Sequence, residues 1–120
     1  MAETVQNRGQ LRKKIHWPVS ITTDHGTIEG VSLNISLVGL FVRCNDPLPV
    51  NKTFPMSIQP PKQDAIEVVG EVVWSEFYGR EQDNSVYGLG ICLVKVSEQD
   101  QTMLEEMIAL PQHGGGDALQ

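Results

Sequence analysis

The residues best suited to binding chemistry in this 120-residue chain are the basic side chains near its N-terminus. Arg8 and Arg12 stand four residues apart, and Lys13 and Lys14 follow directly. A guanidinium group remains charged and donates parallel hydrogen bonds to two oxygens, which suits a phosphate group. It can also lie flat against a purine ring. This segment could therefore bind both parts of a nucleotide, although a solvated basic tail, or one that contacts anionic lipid, has the same composition.

A second group of candidate binding residues lies near the start of a predicted strand and consists of Asn34, Ser36 and Gly39. The Asn34 amide can donate to and accept from a base edge, and the Ser36 hydroxyl can do either. Because residues i and i+2 of a strand point to the same face, we expect one polar patch. Gly39 permits a tight or left-handed turn and leaves room for a ring or phosphate. The alternative is a hairpin turn in which Asn34 and Ser36 bond to their own backbone.

The remaining reactive side chains indicate a binding domain and not an enzyme. His16, His25 and His113 form no metal-binding spacing with Cys, Asp or Glu, so we expect no metal site and no cofactor. No nucleophile elbow, phosphate-binding loop or dinucleotide fingerprint occurs, so we expect no catalytic residues. Cys44 and Cys92 are predicted to be buried, reduced thiols, with a disulfide as the alternative.

The charge of the chain is divided unevenly. Residues 1–16 carry four basic groups and one acidic group, a net charge of +3. The remaining 104 residues carry five basic and fourteen acidic groups, a net charge of −9. An acidic body argues against DNA or RNA as a partner, and a small basic segment suits one compact anion. No apolar run is long enough for a membrane span and no N-terminal signal region is evident, which predicts a cytoplasmic location.

Alternating apolar residues and turn signals predict six short strands. They are WPVSITT, IEGVSLNIS, LVGLFVRC, FPMSIQ, AIEVVGEVVWSEF and SVYGLGICLVKV. A break in the alternation beside Gly30 predicts a bulge in the second strand, and YGREQDN is predicted to be a polar loop. Because no helix separates the strands, the pattern favours a small antiparallel barrel or sandwich.

One helix is predicted after the last strand. Ser97 and Asp100 have the spacing of a helix N-cap with an acidic third residue, and apolar residues then recur at helical spacing to about residue 110. The predicted organisation is a flexible segment at 1–10, one domain at 11–110 with its helix at about 98–110, and a disordered tail at 111–120.

Two motifs together resemble the PilZ domain family, whose members commonly bind the bacterial second messenger cyclic di-GMP. Residues 34–39 fit the pattern (D/N)-x-S-x-x-G, and residues 8–12 fit R-x-x-x-R. The segments GEVVW at 70–74 and GLGICL at 88–93, followed by a short helix, also occur in the family's order. The resemblance covers about residues 8–110. It implies an all-β fold with one C-terminal helix, a six-stranded antiparallel barrel of the split-barrel type.

The resemblance also implies a role for each motif residue. Arg8 and Arg12 would contact the phosphates and guanine faces of the ligand. Asn34 and Ser36 would contact guanine edges, and Gly39 would keep the backbone clear. The arginine segment would be loose without ligand and docked with it.

The register of the arginine motif has two alternatives. In the family, the second arginine usually lies just before the first strand, and by that measure the motif would run from Arg12 to His16. Lys13 and His16 are therefore secondary ligand-binding candidates. The residue that faces the barrel beside Ser36 discriminates between the alternatives, because only an arginine there can hold a phosphate in a bidentate, permanently charged contact.

The sequence thus predicts a stand-alone cytoplasmic receptor or adaptor that binds cyclic di-GMP and passes the signal to a protein partner. Such a protein could act on motility, surface attachment or polysaccharide export. The rival hypothesis is a degenerate PilZ-like interaction module that binds no cyclic di-GMP and contacts its partner through the acidic surface or the final helix.

Overall fold

Six antiparallel strands close into a barrel in the computed structural model, which describes residues 12–109. Around the barrel the strand order is β1–β2–β3–β6–β5–β4. The elements are β1 (Pro18–Thr23), β2 (Gly26–Ile35), β3 (Gly39–Cys44), β4 (Lys52–Ile58), β5 (Ile66–Glu81), β6 (Asn84–Val96) and a C-terminal helix, α1 (Glu98–Ala109). This confirms the predicted six-stranded all-β fold with one helix. The predicted flexible segment at 1–10 and tail at 111–120 lie outside the described residues.

The barrel closes because inward-facing residues meet across every strand pair. In β1, the buried residues Val19 and Ile21 alternate with more exposed neighbours, as the twofold period of a strand requires. They pair with Ile58 and Met56 of β4, which are also buried, and this pairing completes the ring. Their side chains belong to one hydrophobic cluster inside the barrel.

The bulge in β2 lies three residues later than the sequence predicts. Gly30 pairs in regular register, and the shift in pairing falls between Ser32 and Asn34, which leaves Leu33 as the extra residue. The prediction at Gly30 was wrong because its irregular alternation has another cause. A Cβ at Gly30 would lie 2.8 Å from the Arg43 carbonyl oxygen, so close strand packing excludes a side chain there.

The predicted loop at YGREQDN is mostly strand. β5 continues to Glu81 and β6 begins at Asn84, so only Gln82 and Asp83 form the turn. Both have left-handed backbone angles, with φ of 52° and 69°, as a tight two-residue hairpin turn requires. Paired aromatic residues such as Phe77 and Tyr87 favour strand over loop in this segment, a preference that its polar composition concealed.

Helix α1 begins at the predicted cap. The Asp100 backbone N–H donates to Ser97 Oγ at 3.1 Å. On the inner face Leu104 and Ile108 are buried in the barrel's hydrophobic cluster. The helix is therefore held by packing against the barrel, and its outer face remains exposed. Within residues 12–109, no helix is long and apolar enough to cross a membrane.

Candidate functional site

Residues 12–17, hereafter the arm, run alongside β2 before the first strand begins. The Trp17 carbonyl accepts a hydrogen bond from the Ser32 N–H at 2.9 Å. Lys13 and Ile35 exchange two backbone hydrogen bonds of 3.0 Å each. Because the arm is hydrogen-bonded at both ends, it delivers its first residue, Arg12, to the end of β2.

The arginine lies directly beside Asn34. Arg12 Nη1 donates to Asn34 Oδ1 at 2.5 Å. His16 is exposed and lines a different groove with Trp17 and Pro60. Arg12 and not His16 is therefore the arm residue next to the turn that connects β2 and β3. Arg8 lies outside the described residues.

Ser36 holds that turn from within. Its side chain is completely buried, and its Oγ accepts hydrogen bonds from the N–H groups of Val38 and Gly39, each at 3.2 Å. The same hydroxyl donates to the Gly39 carbonyl at 3.2 Å. The prediction that Ser36 shares a strand face with Asn34 was wrong, because β2 ends at Ile35 and the chain then turns inward. The alternative, in which the serine bonds to its own turn, describes its position.

Gly39 is required by the packing of β3 against β6. A Cβ at this position would overlap the carbonyl oxygen of Ile91. Its φ is not left-handed, and among the described glycines only Gly26 and Gly79 have positive φ. Of the two predicted alternatives, the left-handed turn is wrong, whereas a tight turn is present, because the Ser36 N–H donates to the Gly39 carbonyl at 2.8 Å. The glycine itself is explained by the close approach between two backbones.

An open surface cavity of about 340 Å³ lies where the arm, the β2–β3 turn and strands β3, β5 and β6 meet. Arg12 and Asn34 supply polar groups to its wall, and Gly39 also lines it. Among the described lining residues there is no carboxylate, so the cavity favours an anion although the body of the protein is acidic.

Apolar side chains, some of them exposed, line another part of the wall. Val38 and Val73 are 45% and 52% exposed, and both line the cavity with Phe41. The ring of Phe41 lies 5.1 Å from that of Trp74, which is 41% exposed. The outer face of an antiparallel barrel normally carries polar residues, so this apolar surface is unusual. It suits a flat aromatic ring.

Sequence reasoning missed these apolar wall residues. The segments GLFVRC and GEVVW were interpreted as strands, and GEVVW also as a family segment, but outward-facing Phe41 and Val73 were not distinguished from core residues. The available signal was two adjacent apolar residues, Val72 and Val73, in a strand with one buried face: only one of such a pair can point inward. Among residues 12–109, no three His, Cys, Asp or Glu side chains are grouped to hold a metal ion.

The two cysteines differ in exposure. Both are free thiols, as predicted, but Cys92 is only partly buried and lines the cavity. Cys44 is buried, and its Sγ donates to the Asp46 carbonyl at 3.1 Å. Burial is the larger cause that raises the pKa of the Cys44 thiol above its ordinary 9.0, and the Asp46 carboxylate raises it further.

We expect iodoacetamide at pH 8 to alkylate Cys92 well before Cys44, because the thiolate is the nucleophile and Cys44 is shielded. Folding raises the pKa of Cys44, so the protonated thiol stabilises the folded state. This stabilisation is complete below pH 9.0 and is lost as the pH rises through the raised pKa. Mass spectrometry of the labelled peptides measures the order of modification. Equal labelling rates in the folded protein would contradict the difference in environment.

The family model described as PilZ domain matches residues 6–110. No curated protein matches this chain. The chain is similar in fold to the PilZ domain of YcgR from Escherichia coli, which was solved with c-di-GMP. The TM-score is 0.68 at 12% sequence identity, and the match covers 82% of this chain and 86% of that chain.

Two larger proteins contain the same fold. The Bacillus subtilis inhibitor of motility (MotI/DgrA) gives a TM-score of 0.66 at 20% identity, over 86% of this chain and 49% of that one. The PlzA protein of Borreliella burgdorferi, solved in complex with c-di-GMP, gives 0.58 at 7% identity, over 89% of this chain and 55% of that one. The family match spans most of the chain, and the barrel and its motifs agree with it. The chain belongs to the PilZ domain family.

Proposed function

We propose that this chain is a receptor that binds cyclic di-GMP in the cavity beside Arg12. The observation that carries the proposal is the contact between Arg12 and Asn34, which brings the second arginine of one motif to the first residue of the other. The similarity in fold between this chain and PilZ domains solved with c-di-GMP supports the same ligand. We assign Arg8, four residues before Arg12, to a second phosphate or guanine contact.

Each wall of the cavity has a chemical counterpart in the ligand. The Arg12 guanidinium would donate to a phosphate, and Val38, Phe41 and Val73 would cover the face of a guanine. Because arginine can only donate, the Asn34 atom that it contacts is the oxygen. The Asn34 amide nitrogen is then the group that can donate to guanine O6.

Ser36 and Gly39 would contribute by shape. The Ser36 hydroxyl satisfies two N–H groups of the turn, and Gly39 lets β3 approach β6 beneath the cavity. Lys13 does not line the cavity, so we propose only a secondary role for its side chain. His16 lines another groove, with Trp17 and Pro60, so we propose no contact between His16 and the ligand.

The proposed switch concerns residues that precede the arm. Because Lys13 and Trp17 are both hydrogen-bonded to β2, the arm itself has few degrees of freedom left to lose. Ordering each further residue costs about 1–2 kcal/mol, and each charge-assisted hydrogen bond returns about 1.5–3 kcal/mol. With ligand bound, Arg8 would dock beside the cavity, and a protein partner would recognise that change. The receptor is a binding and adaptor domain with no catalytic step.

Calorimetric titration of cyclic di-GMP into the full chain tests the proposal. We expect a dissociation constant of about 1 μM or tighter, and much weaker binding of cyclic di-AMP, whose adenine lacks the O6 acceptor. Absence of heat with cyclic di-GMP, from protein shown to be folded by its circular dichroism, would overturn the receptor proposal. The ligand-independent interaction module would then be the better account.

A further inference from the structure

Ser32 is a buried polar residue that neither the PilZ motifs nor the cavity explains. Ser32 and Ser36 are the two buried polar side chains among the described residues, and both have no exposed surface. Ser36 serves the turn, whereas Ser32 lies within β2 and contacts the arm. Its Oγ accepts from the Trp17 N–H at 2.9 Å and donates to the Ile15 carbonyl. Its own N–H donates to the Trp17 carbonyl at 2.9 Å.

The pairing register between the arm and β2 shifts at these contacts. From Trp17 to Lys13 the arm advances four residues, while from Ser32 to Ile35 β2 advances only three. A regular ladder cannot pair such unequal segments, so backbone groups between the two ends need other partners. The Ser32 hydroxyl bonds to two of them, because a hydroxyl can donate and accept at once. Ile15 turns inward at this point and is 4% exposed in the hydrophobic core.

The position of Arg12 depends on this arrangement. Arg12 directly precedes Lys13, whose backbone is hydrogen-bonded to Ile35, and the Arg12 guanidinium meets Asn34. Without the Ser32 hydroxyl, the Trp17 N–H and the Ile15 carbonyl would each lose a partner in a part-buried region. The arm would keep its backbone bonds to Ile35 and Ser32 but lose the two bonds that accommodate its unequal length against β2.

We propose that Ser32 is the positioning residue of the ligand site: its hydroxyl sets the register of the arm and thereby delivers the Arg12 guanidinium to Asn34. The consequence for affinity rests on the proposed function, but the positioning itself does not. Ser32 acts through Arg12 and does not contact the ligand.

The first test follows the side-chain amide of Asn34 by ¹H–¹⁵N NMR without ligand. Arg12→Ala removes the guanidinium and shifts this signal. We expect Ser32→Ala to shift the signal in the same direction, and the double variant to shift it no further than Arg12→Ala alone, since both changes remove one contact. Ser57→Ala is the matched control, because Ser57 bonds to Glu67 on other strands and should leave the signal in place. An unchanged Asn34 signal in folded Ser32→Ala, or additive shifts, would overturn the proposal.

The second test measures cyclic di-GMP affinity. We expect Ser32→Ala to bind about tenfold more weakly than wild type, and Ser57→Ala to bind equally well, because losing the register makes a charge-assisted phosphate contact intermittent. Equal affinity in Ser32→Ala would overturn the positioning role while the receptor proposal stands. If wild type binds no ligand but the Asn34 signal responds as expected, the receptor proposal fails and the positioning role stands. Should Ser32→Ala not fold, Ser32→Cys, a close isostere with a weaker donor, replaces it in both tests.

Discussion

We expect replacement of Arg12 by alanine to weaken cyclic di-GMP binding about 100-fold, and replacement of Lys14 by alanine to change the affinity by less than about threefold. Arg12 lies in the wall of the cavity, and its guanidinium can form two parallel bonds to a phosphate, each contributing about 1.5–3 kcal/mol. Lys14 is exposed and does not line the cavity. Both changes remove one positive charge, so the comparison separates a specific contact from the general attraction between a basic segment and an anion. Calorimetry at one salt concentration measures both.

Arg12→Lys refines the same experiment. Lysine keeps the charge but loses the planar pair of donors, so we expect an affinity between those of wild type and Arg12→Ala. Equal losses for Arg12→Ala and Lys14→Ala would show that the ligand responds only to net charge. A small effect of Arg12→Ala together with a large effect of Arg8→Ala would place the ligand nearer to the N-terminus than the cavity beside Asn34.

We expect replacement of Gly39 by alanine to destabilise the fold by about 3 kcal/mol, apart from any effect on ligand binding. The added Cβ would overlap the Ile91 carbonyl oxygen, which belongs to the backbone of β6 and cannot rotate away. Because Gly39 pairs with Cys92, the overlap can be relieved only by separating β3 from β6, where overpacking usually costs about 1–3 kcal/mol or more. Urea unfolding followed by circular dichroism gives the difference in the free energy of unfolding.

Val38→Ala is the control for this prediction. Val38 is the preceding residue, is 45% exposed and lines the same cavity, so its truncation should change stability by no more than about 0.5 kcal/mol. The two variants together also test the alternative explanation, in which Gly39 leaves room for the ligand. If Gly39→Ala is as stable as wild type but binds no ligand, the glycine serves to leave room for the ligand, as the motif alone suggests, and not for strand packing.

Local patterns were enough to predict the strands, the helix and the two motifs. Alternating apolar residues such as Val19 and Ile21 mark a strand with one buried face, and a serine three residues before an aspartate marks the start of α1. The two-residue turn at Gln82 and Asp83 was not predicted because its flanking residues are polar, although their cross-strand neighbours favour strand. Elements of this kind depend mostly on neighbours in the chain, so the sequence reveals them with errors at their ends.

The contents of the site depend on contacts between distant residues. Arg12 and Asn34 are 22 positions apart, and only the pairing of the arm with β2 shows that this arginine, and not His16, lies next to the turn. The motif identifies Ser36 as a candidate, but only the structure shows that the Ser36 hydroxyl points into the turn. Register and burial are properties of strand pairs, because a shift of one residue reverses which side chains face the core. The sequence by itself determined the family, the barrel and the candidate motifs; the tertiary structure decided which arginine enters the site, which serine holds the turn and which apolar side chains form the cavity wall.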